Sequence, residues 1–159
     1  MTQQSHPAAE EHHPAAAQDA ALLRDAGLRV TAPRLAVLSA VRAGDHATVD
    51  DIATRVRARL GTVSTQAVYD VLGALHAAGL ARRIEPAGSP ARYEARVGDN
   101  HHHLVCRSCG AVADVDCATG RVPCLEPSSA GGFVVDEAEV TYWGTCPSCL
   151  SPHERKAIA

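Results

Sequence analysis

Two Cys-x-x-Cys pairs constrain this chain more than any other feature of its sequence. Cys106 and Cys109 form the first pair, Cys146 and Cys149 form the second, and 36 residues separate the two pairs. Each pair presents two thiols from one tight turn, so four sulfurs can form the closed tetrahedral shell of a structural zinc site. Two disulfides or four unrelated thiols are the alternatives. We predict Zn²⁺, because paired turns of this kind are among the more specific metal signatures.

The compartment decides whether those thiols are reduced. No apolar run approaches the roughly 20 residues that a transmembrane helix needs, and Met1–Gln18 lacks the pattern of a secretory signal. We therefore expect a cytoplasmic protein without membrane association, in which thiols are ligands or free rather than disulfides. Cys117 and Cys124 lie outside the two pairs. They are either a redox pair or small hydrophobic side chains, and we favour the second interpretation.

The residues before the cysteines predict four helices, followed by a hairpin. The expected helices begin with caps and cover Asp19 to Ala26, Thr31 to Ala43, Thr48 (with Asp51 in a capping box) to Arg59, and Ser64 to Ala78. A four-residue turn containing Gly61 joins the last two, which is typical of a helix-turn-helix. Two short segments, 80–85 and 91–95, flank a turn rich in Pro and Gly. They predict the hairpin of a winged helix.

Beyond residue 100 the hydrophobic period changes to two. Strands are predicted at 104–106, 111–115 and 133–143, with mostly loop at 117–132. The predicted fold class is α+β, an N-terminal winged-helix DNA-binding domain followed by a small α/β domain with the zinc site. We expect a disordered tail at 1–18, the first domain at 19–96, a hinge at 97–100 and the second domain at 101–159. Net charge is +3 over 19–96 and −4 over 97–159, which weakly favours nucleic-acid binding by the first domain.

Three consecutive histidines, His101 to His103, precede the first cysteine pair. In an extended chain His101 and His103 share one face while His102 points to the other. Two imidazoles at this spacing can form half of a metal site. A solvent-facing run of histidines without a role fits the same residues equally well.

Several segments occur together in a characteristic order. They are Gly27–Arg34, His46 before Thr48–Ile52, Ala67–Tyr69, the histidine run, and the two Cys-x-x-Cys pairs, the second after Tyr142–Gly144. In this order they resemble the ferric uptake regulator (Fur) family. Gly98–His103 with Ala113–Cys117 is most similar to its FurA/CatR branch, which is implicated in repressing catalase-type genes.

The resemblance implies a homodimer whose C-terminal domains pair, so that the second domain is a dimerisation domain, and whose winged helices bind a palindrome in double-stranded operator DNA. It also implies a regulatory metal between the domains, with His46, Glu94, His101 and His103 as ligands and Asp114 as the further carboxylate of the peroxide-sensing branch. Three imidazoles and two carboxylates suit Fe²⁺ or Mn²⁺.

The predicted DNA contacts are made from two places. Tyr69 and Gln66 of the fourth helix are expected to reach a thymine methyl, a phosphate or a base edge, and Arg29 and Arg34 the backbone or minor groove. Asp70 departs from the family pattern, since many members have arginine after the tyrosine. Aspartate cannot pair with phosphate, so we expect an operator different from the usual iron box.

Together these features predict a metal-dependent repressor that leaves its operator when peroxide oxidises the Fe²⁺ site, with His46 and His101 matching the histidines that are oxidised. An iron- or zinc-homeostasis repressor of the same family is the nearest alternative. A metal hydrolase and a metal-storage or zinc-scaffold protein are more distant ones. No nucleophile elbow, phosphate loop or paired-acid motif indicates an enzyme, so we predict no catalysis and no small-molecule substrate.

Overall fold

A computed structural model describes residues 14–99, 101–117, 125–135 and 138–151. Within these residues the chain forms four helices and six short strands, which confirms the α+β class. The helices are α1 (Pro14–Asp25), α2 (Ala32–Arg42), α3 (Val49–Leu60) and α4 (Thr65–Ala77). The strands are β1 (Ala47–Thr48), β2 (Arg82–Ile84), β3 (Arg92–Glu94), β4 (His101–Cys106), β5 (Val112–Asp116) and β6 (Thr141–Gly144). None of the described helices has the length and apolar character that crossing a membrane requires.

Three of the predicted helix starts are confirmed by their caps. The Thr31 side chain accepts from the backbone N–H of Arg34, and the Ser64 side chain accepts from that of Ala67. Thr48 and Asp51 form a reciprocal capping box at α3. Each cap gives a partner to a backbone N–H that a helix start would otherwise leave unpaired. Short-range side-chain chemistry therefore determines where these helices begin.

The first helix departs from the prediction. It begins at Pro14, so Asp19 lies inside α1 and is not its cap, and α1 overlaps the end of the predicted disordered tail. Asp19 is buried and its carboxylate pairs with the guanidinium of Arg42 on α2. A tertiary ion pair, which local sequence does not reveal, thus uses the residue expected to cap the helix. Cys124, one of the two cysteines outside the Cys-x-x-Cys pairs, lies outside the described residues.

The helices share one apolar core with the first sheet. Its largest fully buried side chains come from all four helices and include Leu23, Leu38, Ile52, Leu72 and Leu75. The predicted hairpin is confirmed as β2 and β3, and a two-residue strand that the sequence did not predict, β1, pairs antiparallel with β3 in the order β1-β3-β2. Because β1 follows His46 directly, this pairing brings that residue beside Glu94 of β3.

The second sheet has the strand order β5-β4-β6, with β4 antiparallel to β5 and parallel to β6. β4 extends the prediction at 104–106 back to His101. The predicted strand at 133–143 is wrong for most of its length, because only Thr141–Gly144 is a strand and residues 133–135 and 138–140 are not. Phe133 is 80% exposed and Val134 is 96% exposed. Without burial against a neighbour, their apolar character did not produce a strand.

Candidate metal centres

The four cysteines of the two Cys-x-x-Cys pairs lie together, with their Sγ atoms within 4.8 Å of one another. We call this group the cysteine centre. β4 ends at Cys106 and lies parallel to β6, whose last residue, Gly144, is opposite Cys106. Both cysteine pairs therefore follow the same end of the sheet, which explains how residues so distant in sequence meet.

The spacing of the sulfurs fits a tetrahedral ion. Cys109 Sγ and Cys146 Sγ are 3.7 Å apart. Zinc–sulfur bonds of about 2.3 Å in a tetrahedron place sulfurs at about 3.8 Å from one another, whereas a disulfide requires about 2 Å. All four cysteines are free thiols. The donor set and its spacing therefore fit a closed site for a soft divalent ion.

The thiols of this centre differ in acidity. The backbone N–H of Cys146, 3.3 Å from Cys106 Sγ, is the main reason that the pKa of Cys106 is lowered to about 6. The Ser108 side chain lowers the pKa of Cys149, but the neighbouring thiols of Cys109 and Cys146 raise it by more, to about 12. The first thiol ionises readily and the last resists ionisation. Four thiolates can therefore coexist here only around a cation.

A second group combines imidazoles and carboxylates. The ligand atoms of His46, Glu94, His103 and Asp114 lie within 4.8 Å of one another. His46 Nε2 is 2.8 Å from Asp114 Oδ1 and 3.0 Å from Glu94 Oε2, and His103 Nε2 is 3.4 Å from Glu94 Oε1. Asp114 is the outermost, because 30% of its side chain is exposed while at most 4% of each of the others is. Four of the five residues predicted to bind the regulatory metal are thus brought together.

His101, the fifth predicted ligand, lies beside them. Its Nε2 is 3.1 Å from Glu94 Oε1 and 3.9 Å from Asp114 Oδ1. Its other ring nitrogen, Nδ1, is 2.7 Å from Asp99 Oδ1. A carboxylate on the far nitrogen is the usual partner that orients a metal-binding imidazole. From the sequence, Asp99 is expected only in the hinge at 97–100, although an acidic residue two positions before a candidate ligand in an extended segment is a signal that could have identified it.

We call these five residues the histidine–carboxylate cluster, and backbone geometry explains how they meet. On β4, His101 and His103 share a face, and His103 is opposite Asp114 of β5. His102 contacts Tyr142 of β6 instead, with ring centroids 6.4 Å apart. His46 has a φ of 55°, the one positive value among the described residues other than glycine. A left-handed backbone at such a residue costs about 1–3 kcal/mol and persists only where its surroundings hold it.

Buried nitrogens in the cluster test whether a cation fits there. His46 Nε2 is completely buried and close to two carboxylates, yet none of its contacts within the described residues has hydrogen-bond geometry. A buried polar atom without a hydrogen bond is costly. Its position near the oxygens of Glu94 and Asp114 makes a cation between them the simplest way to satisfy all three. Nitrogen and carboxylate donors are the set that Fe²⁺, Mn²⁺ or Zn²⁺ accepts.

Neighbouring groups of opposite charge determine the direction of the pKa shifts of Glu94 and His46. Burial raises the pKa of Glu94, but the imidazoles of His103, His46 and His101 outweigh burial and hold this pKa far below its usual range. Burial lowers the pKa of His46, yet the carboxylates of Glu94 and Asp114 raise it by more, to above its usual value. The acidic and basic groups therefore stabilise each other's charged forms when no metal is bound.

One arginine holds the outer side of the cluster. The guanidinium of Arg96 donates to Asp99, to Asp114 Oδ2 at 3.3 Å and to Asp116 Oδ1 at 2.6 Å. Asp99 and Asp114 each use their other oxygen to contact an imidazole. Arg96 also lines an open cleft of about 110 Å³ that includes Arg42, His46 and Glu94. Three residues of the cluster, His46, Glu94 and Asp114, therefore line this cleft.

The predicted DNA-contacting residues occupy two places. Gln66, Tyr69 and Asp70 are exposed on α4, and Tyr69 is half exposed. The Gln66 amide donates to Asp70 Oδ1 at 2.8 Å. The amide that is expected to read a base edge is therefore already hydrogen-bonded to Asp70. Arg34, in the first turn of α2, donates to the Arg29 carbonyl at 3.0 Å. Gln66 and Tyr69 therefore share one face of α4, whereas Arg29 and Arg34 lie before and at the start of α2.

Comparison with known proteins assigns this arrangement to one family. The sequence profile described as the Ferric uptake regulator family matches residues 25–141. The transcriptional regulator FurA of Mycobacterium tuberculosis is 65% identical over 127 residues, covering 80% of this chain and 86% of that protein. The crystal structure of the Vibrio cholerae ferric uptake regulator is 25% identical, with a TM-score of 0.65 over 80% of this chain and 98% of that one.

The same fold also occurs in a peroxide stress regulator. The crystal structure of the Campylobacter jejuni peroxide stress regulator is similar with a TM-score of 0.59 and 21% identity, covering 80% of this chain and 93% of that one. At this identity the likeness shows the fold alone. The fold is therefore common to a ferric uptake regulator and a peroxide stress regulator.

Proposed function

The chain belongs to the ferric uptake regulator family, and from this premise we propose that it is a cytoplasmic repressor that binds a palindromic operator as a metal-loaded homodimer and leaves it when peroxide oxidises its Fe²⁺ site. Its relatives are transcriptional regulators and it is not an enzyme. The target genes we propose are those of catalase and the oxidative-stress response. The cysteine centre would hold Zn²⁺ as a structural ion, and the histidine–carboxylate cluster would hold the regulatory ion.

The composition of the cluster carries this proposal. His46 lies between α2 and β1, in the part of the chain that also contains α4. His101, His103 and Asp114 belong to the second sheet. An ion bound by all of them favours one placement of the helical part, residues 19–96, relative to the second domain, residues 101–159, across a hinge at 97–100. A coupling of about 1.5–3 kcal/mol would change DNA affinity about 10- to 150-fold.

The DNA-binding unit would be a winged helix. α3, a short turn and α4 precede the β2–β3 hairpin, and α4 presents Gln66 and Tyr69 to solvent. We propose that these two residues contact the major groove and that Arg29 and Arg34 contact the backbone or minor groove. A homodimer would place two such units on the two half-sites of a palindrome.

Two observations favour peroxide over metal availability as the signal. The cluster includes Asp114, which the resemblance implies as the further carboxylate ligand of the peroxide-sensing branch, and the open cleft beside Arg96 would give a small oxidant access. Bound Fe²⁺ would supply the electron that activates peroxide. The residues that would be changed are His46 and His101, whose imidazoles both contact Glu94. An added oxygen on either ring would remove a donor and loosen the link between the two domains.

Operator binding with three metals tests the proposal. An operator is first selected from random double-stranded DNA with the Mn²⁺-loaded protein, and its affinity is then measured by fluorescence anisotropy with Fe²⁺, Mn²⁺ or Zn²⁺ before and after peroxide. We expect peroxide to release only the Fe²⁺ form and mass spectrometry to find one added oxygen on the peptide of His46 or His101. Release without a modified histidine would contradict the proposed chemistry. A protein that responds to chelation but not to peroxide would instead be the metal-homeostasis repressor.

A further inference from the structure

Arg92 connects the two candidate metal centres without belonging to either. It lies on β3, two residues before Glu94. One terminal nitrogen of its guanidinium donates to the backbone carbonyl of His46 at 3.1 Å, and the other donates to the carbonyl of Gly110 at 2.8 Å. These acceptors are 46 and 18 residues away in sequence. One side chain thus joins the helical part of the molecule to the turn that carries the first cysteine pair.

Both acceptors lie at points where the backbone is unusual. His46 has a φ of 55° and Gly110 has a φ of 70°. Gly110 closes the first cysteine turn, because its N–H donates to the Cys106 carbonyl at 2.9 Å. His46 carries the imidazole closest to Asp114. The two carbonyls held by Arg92 therefore belong to the closing residue of one centre and to a candidate ligand of the other.

We propose that Arg92 is a positioning residue that couples the two centres, an inference that rests on the proposed metal-binding role of the histidine–carboxylate cluster. An occupied cysteine centre fixes the turn and hence the Gly110 carbonyl. That carbonyl orients the guanidinium, which holds the left-handed backbone of His46 and so the direction of its ring. Coupling between two binding sites is reciprocal. Metal in the cluster therefore slows zinc loss, and zinc loss weakens metal binding in the cluster.

The planar guanidinium suits this role better than any other side chain. Its two terminal nitrogens point in fixed directions and can donate to two carbonyls at once, whereas a lysine ammonium at the end of a flexible chain holds at most one of them well. Arg92→Lys should therefore retain part of the coupling, and Arg92→Met should remove it. Neither substitution changes a residue that would bind metal.

The first measurement is Mn²⁺ affinity, determined from free Mn²⁺ by electron paramagnetic resonance, on full-length protein containing one zinc per chain. We expect Arg92→Met to weaken Mn²⁺ binding about tenfold, a usual effect of losing a group that orients a ligand, and Arg92→Lys to give a smaller loss. Arg57→Met is the matched control. Arg57 also joins two segments, through the Val63 carbonyl and the Thr65 hydroxyl, but it does so at the turn before α4 and contacts neither centre.

The second measurement separates coupling from a merely structural role. Zinc release to a chelating dye is followed with and without saturating Mn²⁺. Mn²⁺ should slow release from the wild-type protein and from Arg57→Met, but should have little effect on Arg92→Met. A loss of stability alone would speed release in both conditions and leave the Mn²⁺ effect intact.

The outcomes are distinct. Wild-type Mn²⁺ affinity together with Mn²⁺-dependent zinc retention in Arg92→Met would overturn the inference and leave the proposed function standing. If Arg92→Met does not fold, Arg92→Lys decides, and the inference fails if this variant matches the wild type in both measurements. Wild-type Mn²⁺ affinity in His46→Gln would overturn both this inference and the proposed regulatory site.

Discussion

The two centres share one strand but differ in how they are built. β4 begins with His101 and His103 of the histidine–carboxylate cluster and ends with Cys106 of the cysteine centre. All thiols of the cysteine centre lie at or beyond the ends of strands of the second sheet, whereas the cluster also takes His46 and Glu94 from the helical part and the first sheet. A centre confined to one sheet can stabilise that sheet. A centre that spans both sheets can also report how they are arranged.

The side chains that would bind the two ions also differ in how their charges are stabilised when no ion is bound. The neighbouring thiols raise the pKa of Cys149, so an ion is needed to hold four thiolates together in the cysteine centre. The imidazoles and carboxylates of the cluster stabilise one another's charges, which is why the pKa of Glu94 is lowered and that of His46 is raised. The cluster can therefore release its ion without losing the local fold. A permanent structural ion and an exchangeable regulatory ion are expected to differ in this way.

The largest expected effect is the loss of the cysteine centre. Cys106→Ser removes a thiolate from the closed shell and should lower zinc content from one per chain to nearly zero, at a cost of several kcal/mol in the free energy of unfolding. Inductively coupled plasma mass spectrometry measures the zinc content, and urea denaturation measures the free energy of unfolding. Cys117→Ser, outside the centre, should keep its zinc. Full zinc retention in Cys106→Ser would remove the contrast between the two centres.

A smaller effect is expected from His46→Gln, which removes the one histidine that the helical part contributes to the histidine–carboxylate cluster. The variant should retain zinc but lose the metal-dependent part of operator affinity, about 10- to 150-fold. Fluorescence anisotropy with saturating Mn²⁺ measures this change. His76→Gln is the control, because His76 is a histidine of the helical part that is outside the cluster and whose ring contacts the Ala81 carbonyl. Metal-dependent DNA binding at wild-type strength in His46→Gln would show that the cluster does not link the two parts.

Arg96→Gln should have a weaker effect on the same cluster. The substitution releases the outer oxygens of Asp99 and Asp114 without removing a ligand, so Mn²⁺ affinity should fall about tenfold at most. Calorimetric titration with Mn²⁺ measures the change. Arg83→Gln breaks an exposed pair with Glu85 on the hairpin and should leave the affinity unaltered. Equal losses in the two variants would assign the effect to surface charge rather than to orientation of the carboxylates.

The smallest expected effect is a change in pH dependence. The folded-state pKa of His46 lies above 6.5, so its contribution to stability is complete below pH 6.5 and is lost as pH rises through the folded value. The lowered pKa of Glu94 contributes stability above pH 4.5 that is lost as pH falls through its folded value. For zinc-containing protein with an empty cluster, the stability difference between wild type and His46→Gln should shrink from pH 6 to pH 8. Urea denaturation across that range would reveal a constant difference if His46 does not titrate in this way.

Sequence predicted best what short-range chemistry determines. The caps at Thr31, Thr48 and Ser64, and the meeting of two Cys-x-x-Cys turns, depend on neighbouring residues or on a specific spacing. The extent of α1, the two-residue β1 and the absence of the predicted strand at 133–135 and 138–140 depend on tertiary pairing. Nothing local connects residue 46 with residue 94, so these ligands were predicted only through resemblance to a family. The roles of Arg92 and Arg96 became visible only from their contacts.

The alternation of side chains along β4 restricts how this strand can evolve or be engineered. His101 and His103 point to one face, and Cys106 lies an odd number of residues beyond them, on the other. Inserting or deleting one residue between His103 and Cys106 would turn everything beyond it to the opposite face. If the residues before the change kept their pairing with β5, the cysteine centre would lose Cys106. If the residues after it did, the histidine–carboxylate cluster would lose His101 and His103. Length changes in this strand should therefore be tolerated only in steps of two residues.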